Sequence, residues 1–429
     1  MPASAPRCRS CHTPLSDPLV DLGMQPVLDE PVAAALAGSI PQAPVLLRVC
    51  RACSLAQIDS PLARHVGATD NDLASTFAEA RHGHARRRPG GMADHIAEWS
   101  ARLLAETRLP GGSLVVDIAS GDGAMLEPFL AAGMAVLGHE PRQGLADAAN
   151  AAGIRTITAA FGSLESAGLM APSAGADLIL VNHALAHVDD LDAMVATVMR
   201  NLVPGGRVAI EFHDLTALLA GGQFDIVGHA HRSYLSLTSL ERLLARHGLG
   251  VVAARRSTVH GGTIQALAHR LGPGGVRRIG VERLLARDAA AGLEKPETFA
   301  RLGERARVAG ARLSRHLESA SAAHTLVVGY GAPGRAVALL AIASVGPGLL
   351  PFTVDQDPDK QGLSLPGSGI AIRSIDAIDE HHPDEVLILA WTWAAEIGTQ
   401  LLRVDRWGGR LVVPLPRLRT IKVRGPKAA

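Results

Sequence analysis

The chain has 429 residues, 47% of them hydrophobic and 19% charged, which is core material for two or three globular domains. Lys and Arg number 42 against 41 Asp and Glu, so the formal net charge is +1 and the electrostatic footprint of a nucleic-acid binder is missing. Aromatics are scarce at 7 Phe, 4 Trp and 2 Tyr, so aliphatic side chains carry the packing and few phenolic hydroxyls are on offer for chemistry. No apolar run reaches the roughly 20 residues of a membrane span, and the first residues lack the apolar stretch of a signal peptide. A soluble cytoplasmic protein with no membrane partner is expected.

Four cysteines, Cys8, Cys11, Cys50 and Cys53, form two Cys-x-x-Cys pairs near the N-terminus, and no other cysteine follows. Each such turn presents two thiolates on one knuckle, and a tetrahedral Zn2+ takes four. Disulfides suit a secreted protein, and a thioredoxin-like redox motif needs one pair after a strand. A structural zinc module over residues 1–68 is the expectation; with all four positions filled by sulfur, none remains for catalysis.

A polar, basic stretch follows and ends in a helical pattern of Met92, Ile96, Trp99, Leu103 and Leu104. Apolar runs at 113–118, 135–140, 153–157, 177–182 and 207–211 alternate with helical segments, the spacing of a parallel doubly wound sheet. A histidine-rich insertion, 212–234, reads as polar, and a helix at 239–247 and a strand at 249–254 close this unit. Residues 274–323 read as a connecting helix pair. Strands at 325–330, 352–355, 385–389 and 410–414 then make a second open α/β sheet. The expected fold is α/β: a small zinc-binding domain, a central Rossmann-like domain over 69–272, a helical connection over 273–323 and a second Rossmann-like domain over 324–429.

Two glycine turns follow first strands. In the first, Asp117-Ile-Ala-Ser-Gly121-Asp-Gly123, an acidic residue ends the strand and the pyrophosphate fingerprint is absent. Acidic groups suit a cationic sulfonium, so S-adenosylmethionine (AdoMet) is the expected ligand of Asp117, Gly121, Asp122 and Gly123. Glu140, ending the second strand, is placed for the ribose hydroxyls, and Asn182, ending the fourth, for the methionine end or the substrate. The competing reading is that these residues cap strand ends around unknown cargo. The second turn, Gly329-Tyr-Gly331-Ala-Pro-Gly334, either holds part of a nucleotide-bearing substrate or only packs.

Taken in order, these segments resemble the AdoMet-dependent C-methyltransferases that act on nucleotide-linked 4-keto deoxysugars. The matching stretches are Cys8–Cys11, Val20–Pro26, Val49–Cys53, Asp117–Gly123, Gly138–Pro141, Asn182–His187, Asn201–Gly206, Gln223–Asp225, His229–His231, Tyr234–Leu237, His260–Thr263, Gly329–Pro333 and Asp355–Gly362, essentially the whole chain. The resemblance implies proton removal alpha to the ketone, stabilisation of the enolate oxygen and attack of the carbon on the AdoMet methyl, in the biosynthesis of secondary metabolites such as antibiotics. His231, His187 and His229 are the candidate base and polarisers, and Tyr234, His260 and Lys360 the candidate substrate contacts. Where the family carries Tyr-His-Glu-His, this chain has Gly228-His229-Ala230-His231, and Phe77 aligns with a family tyrosine. These departures remove hydroxyls and a carboxylate, leaving O- or N-methylation, other altered chemistry, or a non-catalytic AdoMet-binding homologue as alternatives. His183 and His213, outside the matched pattern, read as hydrogen-bonded loop residues; His139 and His247 read as surface or packing residues.

Overall fold

A computed structural model describes residues 6–59, 91–161, 175–270 and 279–421. Phe77 lies outside the described residues, and no described helix is long and apolar enough to cross a membrane.

The N-terminal strands β1 (Val20–Pro26), β2 (Gln42–Val49) and β3 (Ala56–Ile58) form an antiparallel sheet. Its fourth member comes from far along the chain: β9 (Ser233–Tyr234) pairs with β3, setting Ala56 opposite Tyr234. The centre of the molecule is a seven-stranded sheet. Strands β4 (Leu114–Ile118), β5 (Ala135–His139), β6 (Thr156–Ile157), β7 (Ala176–Asn182) and β8 (Leu202–His213) are parallel. The antiparallel strands β10 (Leu249–Ser257) and β11 (Thr263–Arg270) then close one edge, giving the order β10-β11-β8-β7-β4-β5-β6. The apolar runs read as buried strands are buried: Val115, Val116, Leu178, Ile179 and Leu180 sit between helical layers. The sheet is mixed rather than wholly parallel, because β11 returns from β10 as a hairpin. Its alternating Gln265, Ala266 and Leu267 carried no helix between strands to announce it.

The insertion at 212–234 is not a polar excursion. Asp214 caps the helix Leu215–Gly221 by accepting from the Thr216 N–H. Leu215, Leu218, Leu219, Phe224 and Val227 then enter one core with β1, the helix Pro296–Ala322 and the helix Gly334–Ile342. The helices Ile279–Ala291 and Pro296–Ala322 are the expected connecting pair. The C-terminal sheet, ordered β14-β13-β12-β15-β16-β17, has β12 (Val327–Tyr330) parallel to β13 (Phe352–Val354) and β15 (Glu385–Ile388). β14 (Ala371–Arg373) and β16 (Arg410–Val413) extend it in parallel, and β17 (Arg419–Ile421) ends it antiparallel.

Candidate active site

The cysteines converge. Cys8 Sγ lies 3.5 Å from Cys53 Sγ and Cys11 Sγ 3.5 Å from Cys50 Sγ, and all four sulfurs fall within 4.8 Å of one another. Four thiolates at about 2.3 Å from a zinc ion would sit about 3.8 Å apart, so the set fits zinc and is too open for disulfides. The residues after each pair, His12 and Ser54, turn into the left-handed region at φ 58° and 60°, so both knuckles have one shape. Gln57 Nε2 donates to Cys8 Sγ at 3.3 Å, supporting a thiolate there. The Cys8, Cys50 and Cys53 side chains pack in one core with Leu235, Leu237 and Leu240 of the central domain. The cluster therefore anchors a domain interface.

At the C-terminal end of β4 the chain turns through positive φ at Ala119, Gly121 and Gly123. A Cβ on Gly121 would meet nothing within 4 Å, so the mouth of the turn opens on free space. Glu140 is fully buried at the end of β5. It accepts from the Gly121 N–H at 2.8 Å, from the Arg142 N–H at 3.0 Å and from Arg142 Nε at 2.7 Å. Asp117 is buried beneath the turn, and Asp122 accepts from the Ala124 N–H at 3.2 Å. Asn182 ends β7 with Oδ1 taking the Trp99 indole N–H at 3.3 Å, while its Nδ2 and the Ser120 Oγ are buried with no hydrogen-bond partner among the described residues. An open cradle rimmed by acids and by orphaned polar atoms fits AdoMet. Arg142 is a contact the sequence did not single out; an arginine two residues beyond a strand-end acid carries no distinctive signal.

Beside this turn the rings gather. His187 and His231 have centroids 4.8 Å apart, His231 and His213 5.8 Å, His213 and His183 4.7 Å, and His183 and His260 5.3 Å. His183, His213, His231 and Tyr234 line a recess of about 10 Å³, room for one water-sized group. Burial, reinforced by the adjoining imidazoles and the Arg335 guanidinium, which oppose a further positive charge, pushes His213 and His231 well below the ordinary imidazole range. His187 stands at the exposed rim, its Nδ1–H donating to the Ala230 carbonyl at 2.6 Å.

The structure places His231, His187, Tyr234 and His260 close to one another, and beside them His183, His213 and Glu211. His183, just past β7, is a hydrogen-bonded loop residue as read, and it lines the recess together with His213, which ends β8. Their signal lay in position, since they follow the C-terminal ends of adjacent parallel strands, where doubly wound sheets place their ligands. His229 turns away, its Nε2 bonded to the Ala43 carbonyl at 3.0 Å in the N-terminal sheet. Tyr234 is buried, and its hydroxyl accepts from the Gly228 N–H at 3.1 Å. Lys360 lies in the C-terminal domain, donating to the Ala332 carbonyl at 3.2 Å, 3.6 Å from Asp355. There Asp355 accepts from the Ala332 N–H at 2.7 Å, and a Cβ on Gly334 would come 2.4 Å from Asp29. This second glycine turn is held by its own acid and covered by the N-terminal domain. His139 is fully buried against Phe161.

Residues 84–254 match a family model described as "Methyltransferase domain", residues 258–416 one described as "C-methyltransferase C-terminal domain", and residues 8–66 one described as "Putative zinc binding domain". The C-methyltransferase NovU of Streptomyces niveus is 35% identical over 77% of this chain and 79% of its own length. The chain belongs to the AdoMet-dependent sugar C-methyltransferase family. It is an AdoMet-dependent methyltransferase whose four clustered cysteines form its zinc site. Among solved structures, the magnesium protoporphyrin IX methyltransferase of Synechocystis with bound SAM is 14% identical, with 49% of this chain and 95% of that one covered at a TM-score of 0.34. The 1,6-didemethyltoxoflavin-N1-methyltransferase of Burkholderia thailandensis is 21% identical over 51% and 95%, with a TM-score of 0.36. The methyltransferase keeps the glycine turn of β4 on one side of β7 and His213, which ends β8, on the other.

Proposed function

We propose that this methyltransferase transfers a methyl group to the carbon alpha to the ketone of a nucleotide-linked 4-keto deoxysugar. The observation carrying this reading is the row of imidazoles next to the glycine turn of β4. A C–H bond alpha to a ketone loses its proton only to a positioned base, with a donor on the carbonyl oxygen. Two imidazoles on one recess, one accepting and one donating, supply that pair without tyrosine or glutamate at Gly228 and Ala230. His231 and His187 are the family-position members of the row. Bound AdoMet would supply the electrophilic methyl group, with Asp117, Asp122, Glu140 and Asn182 holding it at the turn. The recess admits one atom-sized group, so the reacting edge of the sugar, rather than its whole ring, reaches the histidines.

The test is incubation of a nucleotide-linked 4-keto deoxysugar with the protein and AdoMet in D2O, followed by mass spectrometry and NMR. One added methyl on the alpha carbon is the expected product, with alpha deuterium incorporated when AdoMet is left out. A methyl on oxygen or nitrogen, without alpha exchange, would replace this reading with heteroatom methylation. A folded, AdoMet-binding protein that does neither would overturn it.

A further inference from the structure

One imidazole of the recess is wired to a buried carboxylate. Glu211, near the end of β8, accepts from His183 Nε2 at 2.8 Å, from His95 Nε2 at 2.9 Å and from Gln265 Nε2 at 2.7 Å. Burial alone would raise a carboxyl, but the bonds from His183 and His95 outweigh it and hold Glu211 well below the usual carboxylate range. An ionised carboxylate only accepts, so His183 must present its Nε2 proton to Glu211 and keep the lone pair on Nδ1. That Nδ1 is buried with no hydrogen-bond partner among the described residues, on a ring that lines the same recess as His213 and His231.

The pair is also locked through the backbone. The His183 N–H donates to the Glu211 carbonyl at 2.7 Å, and His183 is held at φ 59°, in the left-handed region that costs a non-glycine residue strain. Neither His213 nor His231 is paired with a carboxylate among the described residues, and both sit in surroundings that disfavour their charged forms. A base must hold the proton it takes. Of the three imidazoles lining the recess, His183 is the one to which the described residues give a counter-charge, through Glu211.

We propose that His183, oriented by Glu211, is the base that removes the alpha proton of the substrate, with His231 donating to the carbonyl oxygen. The assignment rests on the alpha-carbon chemistry proposed above and reassigns the base within it. The C–H bond breaks, its proton passes to His183 Nδ1, and its electron pair moves onto the carbonyl oxygen. When the carbon takes the methyl group, that pair becomes the new C–C bond and the C–S bonding pair stays on sulfur. The proton then leaves His183 to water. Glu211 thus supplies, from the neighbouring strand β8, the carboxylate missing at Ala230.

The experiment measures exchange of the alpha proton of a nucleotide-linked 4-keto deoxysugar into D2O without AdoMet, alongside methyl transfer with it. His183→Asn suits the position because asparagine tolerates left-handed backbone, so thermal stability and calorimetric AdoMet affinity should stay at wild-type levels. Both rates should fall roughly 10²- to 10⁴-fold, the usual worth of a positioned base. Glu211→Gln keeps an acceptor but loses the charge, and should lower both rates with AdoMet affinity unchanged. His231→Ala should exchange faster than His183→Asn. Wild-type exchange in His183→Asn, or complete loss of exchange in His231→Ala alone, would overturn the assignment. If the wild-type protein does not exchange this sugar, the substrate reading fails separately, and 15N NMR of the histidines decides the assignment. An unprotonated His183 Nδ1 near neutral pH supports it; a protonated Nδ1 overturns it.

Discussion

His139 shows how much a single side chain can hide in a strand. It is fully buried in β5, its two ring nitrogens have no hydrogen-bond partner among the described residues, and burial lowers it to about 4 from its ordinary 6.5. The folded state therefore refuses a proton that the unfolded chain accepts. The stability this group contributes is complete above the ordinary value and is lost as pH falls from about 6.5 to about 4, up to about 3 kcal/mol. His139→Leu should flatten part of the loss of melting temperature across that window, read by thermal scans of both proteins; an unchanged slope would place the titration elsewhere, in His213 or His231, which have the same sign. Glu140 makes a second residue-scale case. Its Arg142 partner and the Gly121 N–H already use its oxygens, so Glu140→Ala removes a charged acceptor rather than an idle one. AdoMet affinity should weaken about 10- to 100-fold in calorimetry, the range of a charged hydrogen bond. The place of Glu140 just past β5 was legible in the sequence because a strand end is a fixed address. Arg142 and Glu211 were not, because their meaning is a partner that only folding brings near.

At the scale of elements, the segment between β8 and β9 joins the domains. Asp225 is fully buried and accepts from the Trp391 indole N–H at 2.6 Å, with Arg335 Nε 3.2 Å away. Arg335 itself lies over the Trp391 ring at 4.9 Å. The central domain thus clasps the helix Gly334–Ile342 and the turn beyond β15. The sequence pointed to Gln223-Phe-Asp225 as a matched stretch, yet the surrounding residues read as polar because their leucines repeat over too short a span to stand out. Burial is decided here by what arrives from the N-terminal sheet and the C-terminal domain. Asp225→Ala strands the Arg335 guanidinium in a dry interface, which costs about 3–5 kcal/mol. Chemical denaturation should show the C-terminal domain releasing early in this variant. Asp225→Ala with Arg335→Met should recover much of that loss, since no unpaired charge remains; an equal loss in the double variant would mean that packing around Trp391, rather than charge, holds the joint.

Across the whole molecule the zinc cluster and the histidine recess are mechanically one structure, although neither touches the other's chemistry. The recess segment leaves His231 and immediately becomes β9, which belongs to the sheet of the zinc-binding domain. The Arg232 N–H donates to the Ala186 carbonyl at 2.7 Å and its carbonyl accepts from the Ile58 N–H at 3.1 Å, so this turn is tied to both domains within one residue. Arg9, between the first two cysteines, adds a bond from Nη1 to the Ile58 carbonyl at 2.6 Å, and its own carbonyl accepts from the Leu191 N–H at 2.9 Å. The glycine turn of β4 is strung between strands of the seven-stranded sheet, β4, β5 and β7, none of which belongs to the sheet of the zinc-binding domain. Zinc removal should therefore separate two functions that share one sheet. Stripping the metal with a strong chelator, or Cys50→Ser, should lower thermal stability and turnover together while AdoMet affinity changes by no more than a few-fold. Binding free energy of a structural zinc is folding free energy, so the loss should fall on the domain whose sheet holds β9. Turnover per folded molecule that survives metal loss would show the recess to be self-supporting. A matching collapse of AdoMet affinity would instead make the zinc module a support of the entire central sheet.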